Sequence, residues 1–348
     1  MDATPRDGSI VRRTSRSTED PVMTATASEL HLNGIPDEEV RRPGGDESYG
    51  RLLQRLSHQS VVKHFDAYAD IDWDDETLRI DPADPRWELA GDDGLGATAW
   101  YRSQPPEIRA RIGLHRTATA MKIGAQFENV LQRGLLEFAL ALPNGSPEFR
   151  YAYHELIEEG QHSLMFQEFV NRSGLDIPGL PPLLRFGSRE VVRYARGFPC
   201  LFFLFVLGGE DPIDHVQRRT LGGDRPVHPL LRRIMQIHVT EEARHLCFAR
   251  QYLRQNVPRL GPVRRHILSI RAPILLGIMA QLMLRPSRQI IRTYRIPSAV
   301  VAEAYTRNPE HRALTIAAIA KVRDLCRELG IITPRTARLW RLMGAAPA

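Results

Sequence analysis

His238-Val239-Thr240-Glu241-Glu242-Ala243-Arg244-His245 is the stretch on which the reading of this chain turns. It lies in residues 230–254, where the apolar spacing predicts a helix. At 3.6 residues per turn, positions i, i+4 and i+7 share a face, so His238, Glu242 and His245 project together. Two imidazoles and a carboxylate on one face are ligands for iron, manganese or zinc. Upstream, Glu158-Glu159-Gly160-Gln161-His162 repeats the Glu-Glu-x-x-His pattern of residues 241–245. Two Glu-x-x-His pairs on separate helices, with one Glu from each of two other helices, make a dinuclear carboxylate site in a four-helix bundle.

Two further glutamates stand where that architecture needs them. A long helix is predicted from Pro105-Pro106-Glu107 to the Pro143-Asn144-Gly145 turn. It carries Glu128 bordered by Phe127, Val130 and Leu131, a setting in which a carboxylate is costly unless paired or metal-bound. Glu137 competes with it but faces nearly the opposite side. A third helix contains the apolar run 201–207 and then Gly208-Gly209-Glu210, with Pro199 and the two glycines expected to distort it. Glu210 follows the apolar run directly, and Asp211 and Asp214 are candidates to orient a ligating imidazole through its second nitrogen. Glu158 and Glu241, at i, i+4 from His162 and His245, leave the register open; the i, i+3 spacing favours Glu159 and Glu242.

Composition agrees with a mostly helical chain. The 348 residues are 43% hydrophobic, enough for a large core, and strand-like alternation is scarce. The expected fold is all-α: a ferritin-like four-helix bundle over about 105–255, with additional N- and C-terminal helices, the latter over 263–345. Residues 1–50 lack hydrophobic period and read as a disordered arm ahead of one domain over 51–348. Residues 70–104 are rich in turn formers, and Trp73, Trp87 and Trp100 are expected to anchor that loop to the bundle. The net charge of +6 rests almost wholly on scattered arginines, which argues against a nucleic-acid surface. A helix-turn-helix-like end over 327–340 has only Arg335, Arg338 and Arg341 in its favour. Cys200, Cys247 and Cys326 form no C-x-x-C pair, so a cytoplasmic protein without disulfides or zinc thiolates is expected. No apolar leader opens the chain, and the apolar run 272–284 is shorter than the roughly 20 residues a membrane span requires.

The order Glu128, Glu159-x-x-His162, Glu210, His238-x-x-x-Glu242-x-x-His245 resembles the p-aminobenzoate N-oxygenase (AurF-like) family of non-haem di-iron oxygenases. The phrase Glu128-Asn129-Val130-Leu131-Gln132-Arg133-Gly134-Leu135-Leu136 is also similar to it. The resemblance implies that Glu159 and Glu242 bridge two iron ions, that Glu128 and His162 complete one, and that Glu210, His238 and His245 complete the other. It implies a homodimer that takes O₂ and two electrons from an external donor or reductase, forms a peroxo-di-iron species, and oxygenates a small arylamine. Thr119, Ala120 and Met121 stand where the family pattern has a Tyr two turns before Glu128, so the aminobenzoate itself does not carry over. The alternative reading is a ferritin-like ferroxidase or iron-handling protein with no organic substrate; by the resemblance, the extra His238 separates this pattern from ordinary ferritin-like sites.

Overall fold

Six of the long helices begin on proline: Pro106, Pro147, Pro182, Pro199, Pro229 and Pro262. The first helical position needs no N–H partner and suits the fixed φ of proline, so these residues set where each helix starts. The computed structural model describes residues 46–347, and no strand occurs among them. The helices are α1 (Asp46–Val62), α2 (Pro106–Leu140), α3 (Pro147–Ser173), α4 (Pro182–Gly197), α5 (Pro199–Leu221), α6 (Pro229–Asn256) and α7 (Pro262–Leu284). Shorter helices follow, among them Pro309–Ala318, Ala320–Glu328 and Ala337–Leu342. The chain is all-α, as the ferritin-like reading requires.

The expected arm lies outside the described residues up to 45, and α1 already begins at Asp46. Helices α2 and α3 pack along each other, α5 and α6 do the same, and α3 meets α6 across the bundle. Helix α5 is sheathed by α2, α4, α6, α7 and the C-terminal helices, so its whole run from Cys200 to Asp211 is buried.

The region expected as one distorted helix is two helices. Phe198 leaves helical geometry (φ −149, ψ 66) because Pro199 restricts the residue before it and has no N–H to donate. Gly208 and Gly209, expected to distort the helix, stay helical. Their role is room: a Cβ on Gly209 would sit 2.0 Å from the Phe127 ring, so this glycine lets α5 approach α2 beside Glu128. The C-terminal helices are also more broken than their sequence pattern. The segment from Ser298 divides into a single turn and a π-helical turn, Ala302–Thr306, and Ile319 separates Pro309–Ala318 from Ala320–Glu328. The helix-turn-helix-like end supplies only the six residues Ala337–Leu342, with Trp340 buried.

The loop-rich lead-in is anchored as its tryptophans suggested. Trp73 Nε1 donates to the Ala67 carbonyl (2.7 Å), and Trp87 stacks on His228 (centroids 4.3 Å) and meets Phe169 edge-on. Gly113 of α2 lies under this loop, where a Cβ would come 1.7 Å from the Trp87 carbonyl oxygen. Overpacking of this kind costs about 1–3 kcal/mol. Gly113→Ala should therefore lower the free energy of denaturant unfolding by that amount. Gly187→Ala, at an α4 position with nothing within 4 Å, should raise it by about 0.5–1 kcal/mol through helix propensity.

Candidate metal centre

All seven side chains singled out in the sequence meet inside the bundle, and each is at most 2% exposed. Helix α2 brings Glu128, α3 brings Glu159 and His162, α5 brings Glu210, and α6 brings His238, Glu242 and His245. Donor atoms of Glu128, His162 and His238 lie within 4.8 Å of one another, as do those of Glu159, His162 and Glu242, and those of Glu210, His238 and Glu242. His245 adjoins these groups through Nδ1, 3.0 Å from Glu242 and 3.1 Å from Glu159.

The outer glutamates hold the imidazoles in a crossed arrangement. His162 of α3 directs Nε2 to Glu241 of α6 (2.9 Å), and His245 of α6 directs Nε2 to Glu158 of α3 (2.7 Å). With those Nε2 protons donated outward, both Nδ1 atoms are aimed at the centre. Glu158 and Glu241 are held in turn by Arg244, 2.7 Å from Glu158 and 3.6 Å from Glu241. Glu241 also accepts from the backbone N–H of Phe65 (3.1 Å), which ties the loop after α1 to the site. In the structure the outer pair faces the opposite helix and the inner pair faces the centre.

His238 is held differently. Its Nδ1 lies 3.0 Å from Gln217 Oε1, and its Nε2 faces Glu128 (3.6 Å), Glu210 (3.9 Å) and Glu242 (3.9 Å). Asp211 and Asp214 do not orient a histidine as expected. Asp211 pairs with Arg250 of α6, turned away from Glu210 by helical rotation, and Asp214, one turn after Glu210, is taken by Arg218 a further turn on (2.7 Å). Gln217 was missed in the sequence; its place two turns beyond Glu210 was the available signal. Glu137 lies only partly buried, away from the cluster.

The electrostatics describe a site short of positive charge. Burial, then the charges of Glu159 and Glu210, hold the Glu128 carboxyl well above its usual range; burial and the charges of Glu242 and Glu159 do the same to Glu210. Burial also raises Glu242. Glu159 is held well below the usual range, since His245 and His162 outweigh its burial. Burial works against a charged His162, yet its bonds to Glu159 and Glu241 push it up to about 10. Burial and the neighbouring His162 push His238 far down, so it is a neutral imidazole with a lone pair on Nε2. Glu128 Oε2 and Glu242 Oε2 have no hydrogen-bond partner. Unpartnered buried carboxylate oxygens among imidazole nitrogens fit a pair of hard-to-borderline divalent cations. Glu155, one turn before Glu159, is also wholly buried with neither oxygen bonded, and burial pushes its carboxyl well above the usual range.

Comparison with known proteins places this geometry in a family. The sequence matches the family described as P-aminobenzoate N-oxygenase AurF over residues 46–330. Uncharacterized proteins of Mycobacterium tuberculosis (Rv0885) and Mycobacterium bovis (Mb0909) are each 40% identical to it over 297 residues, covering 85% of this chain and 87% of the relative. No solved structure gives a significant match. The chain belongs to the AurF family.

Arg244 is the cation on which the crossed arrangement depends. Removing one member of a buried, hydrogen-bonded ion pair costs about 3–5 kcal/mol. Arg244→Leu should destabilise the metal-free protein by that amount in urea unfolding. A loss below about 1 kcal/mol, the usual ceiling for an exposed pair, would show that Glu158 and Glu241 do not need it.

Proposed function

We propose that this protein is a non-haem di-iron oxygenase that uses O₂ and two electrons to oxygenate a small organic molecule, with an amine nitrogen as the leading target. The observation that carries the reading is the set of seven buried donor side chains around one volume, three of them imidazoles and four carboxylates. Four carboxylates balance two Fe(II) ions, which leaves a near-neutral site inside an apolar bundle. For an amine, the balance is R–NH₂ + O₂ + 2 e⁻ + 2 H⁺ → R–NHOH + H₂O, with the electrons supplied by an external donor or reductase.

The metal pair, when bound, would supply O₂ activation. In this reading Glu159 and Glu242 would be shared by both ions, Glu128 and His162 would help to hold one, and Glu210, His238 and His245 the other. Glu241, Glu158 and Gln217 fix the tautomers that aim Nδ1 of His162, Nδ1 of His245 and Nε2 of His238 at the ions. The wall is apolar: Phe166 lies 5.2 Å from His238, and Phe127 packs on Phe205 at 4.9 Å between ring centroids. A dry wall supports chemistry on an organic substrate over traffic of hydrated iron.

A homodimer is part of the same proposal. Leu136 and Leu140 of α2, with Phe149, Tyr153, Ile157 and Leu164 of α3, form an exposed apolar face. Arg133 and Glu137 sit four residues apart at its edge, so a two-fold axis across α2 would set each copy's arginine against the other's glutamate. Ile157→Glu should convert a dimer to a monomer in sedimentation equilibrium, and an unchanged mass would remove this face from consideration.

Anaerobic titration with Fe(II) should saturate at about two ions per chain. Because His162, with its pKa of about 10, carries a proton at neutral pH that an ion must displace, the apparent affinity should rise from about pH 6 to about pH 8. The gain should be about tenfold per pH unit for each proton displaced. Glu241→Gln should weaken binding by about 10–100-fold. On adding O₂ with an external reductant, the loaded protein should turn over arylamines to hydroxylamine or nitro products. Accumulation of mineralised iron with no organic product would favour a ferroxidase.

A further inference from the structure

A second surface, remote in character from the metal centre, carries most of the molecule's charge imbalance. Helix α4 has four arginines (Arg185, Arg189, Arg193, Arg196) against one glutamate, and α7 has three (Arg264, Arg265, Arg271) with no acidic residue. Together the two helices account for the chain's whole net charge of +6. The two helices touch near the end of α4: Arg271 packs on the Tyr194 ring (5.2 Å), and Arg264 on Phe198 (5.7 Å).

Among these arginines, large apolar side chains stand in solvent. On α4, Leu183 is 78% and Phe186 is 64% exposed; on α7, Val263 is 72% and Ile278 is 43% exposed. Ile267 and Ile270 extend the α7 stripe, and the positions 263, 267 and 270 fall along one helical face. The apolar stretch of α7 is longer than the run at 272–284. By length and composition the segment from Pro262 could cross a membrane, yet half of its apolar window is buried against the protein. A helix packed on the bundle along one side and apolar with arginines along the other is built to lie in an interface.

We infer that the α4–α7 face docks this protein on an anionic lipid bilayer, with Phe186, Leu183 and Val263 entering the acyl boundary and the arginines meeting phosphate headgroups. Charge decides against a second copy of the same face. α7 offers no carboxylate and α4 only Glu190, already paired with Arg193 (3.2 Å), so two such faces would repel. The exposed apolar side chains decide against a purely electrostatic partner, since a nucleic-acid phosphate backbone leaves Phe186 and Val263 unburied. Arginine stems reach past apolar side chains to a headgroup layer, which lets both kinds of contact form at once. The surface would bring an enzyme with an apolar wall to a membrane-dissolved substrate or donor.

The test is flotation of the full-length, iron-loaded protein with vesicles of phosphatidylcholine alone and of phosphatidylcholine with phosphatidylglycerol. The protein should float only with the anionic vesicles and should be released by high salt. Arg189→Gln combined with Arg193→Gln should weaken binding by about 25-fold, about fivefold for each arginine. Phe186→Ser combined with Val263→Ser should also weaken it, while Val62→Glu, exposed on α1, should not. The four target residues are exposed, and circular dichroism of each variant checks that the fold persists. No flotation, equal flotation on neutral vesicles, or full binding by both double variants overturns the inference. A change of molecular mass in the Phe186→Ser/Val263→Ser variant without vesicles would also overturn it, because the face would then join protein to protein. Iron binding and oxygenation are read separately, so failure on either side is distinguishable.

Discussion

Everything in this bundle is arranged around carboxylates that have been taken out of water. Glu128, Glu155, Glu158, Glu159, Glu210, Glu241 and Glu242 are all buried, and the arginine buried with them is Arg244. Desolvating one ion costs several kcal/mol even after relaxation. The metal-free protein answers by protonation: Glu128 and Glu210 are pushed up, His162 and His245 are pushed up beside them, and Glu159 keeps its charge between the imidazoles. Two divalent cations would replace that set of protons, and the fold holds the donors in place in advance.

The crossed arrangement explains how four helices keep a common centre. Each Glu-Glu-x-x-His unit sends its inner Glu to the centre and its outer Glu to the opposite helix, where it receives the other unit's histidine. Helices α3 and α6 are thereby stapled by two polar bonds that also set imidazole orientation. Arg244 locks both outer carboxylates, and the Phe65 N–H draws the loop after α1 onto the same network. Close approach from the other side relies on Gly209, whose missing Cβ admits the Phe127 ring next to Glu128. A bundle built this way couples helix packing to ligand geometry, so loosening either one loosens both.

The sequence made some of this legible and left some of it hidden, for physical reasons. The long helices α2, α3 and α6 were readable because proline at their starts, strong 3.6-residue periodicity and polar turns all agreed. The central residues of α3 and α6 were readable because helical spacing fixes which side chains share a face, and Glu128 and Glu210 because each adjoins an apolar run. The break at Phe198 was not, because a proline can kink a helix or begin one, and only the packing of α4 against α2 decides between them. The roles of Asp211 and Asp214 were misread because an acid near a ligand is a plausible partner for it, while Asp211 meets Arg250 of the neighbouring helix α6 and Asp214 is taken by Arg218 one turn on. Gln217 and the crossed pairs are contacts between or along helices that spacing alone does not specify. The resemblance to the N-oxygenase family extends to the ligand pattern but not to a substrate, and the relatives in mycobacteria are themselves uncharacterized.

The central claim is a pair of metal ions inside this ring of donors. An anomalous-diffraction experiment at the iron edge on crystals loaded anaerobically with Fe(II) tests it most directly. Two peaks about 3.5–4 Å apart are expected, with Glu159 and Glu242 between them, His162 on one side and His238 and His245 on the other. A single peak, or iron bound elsewhere with the seven side chains still paired among themselves, would contradict it.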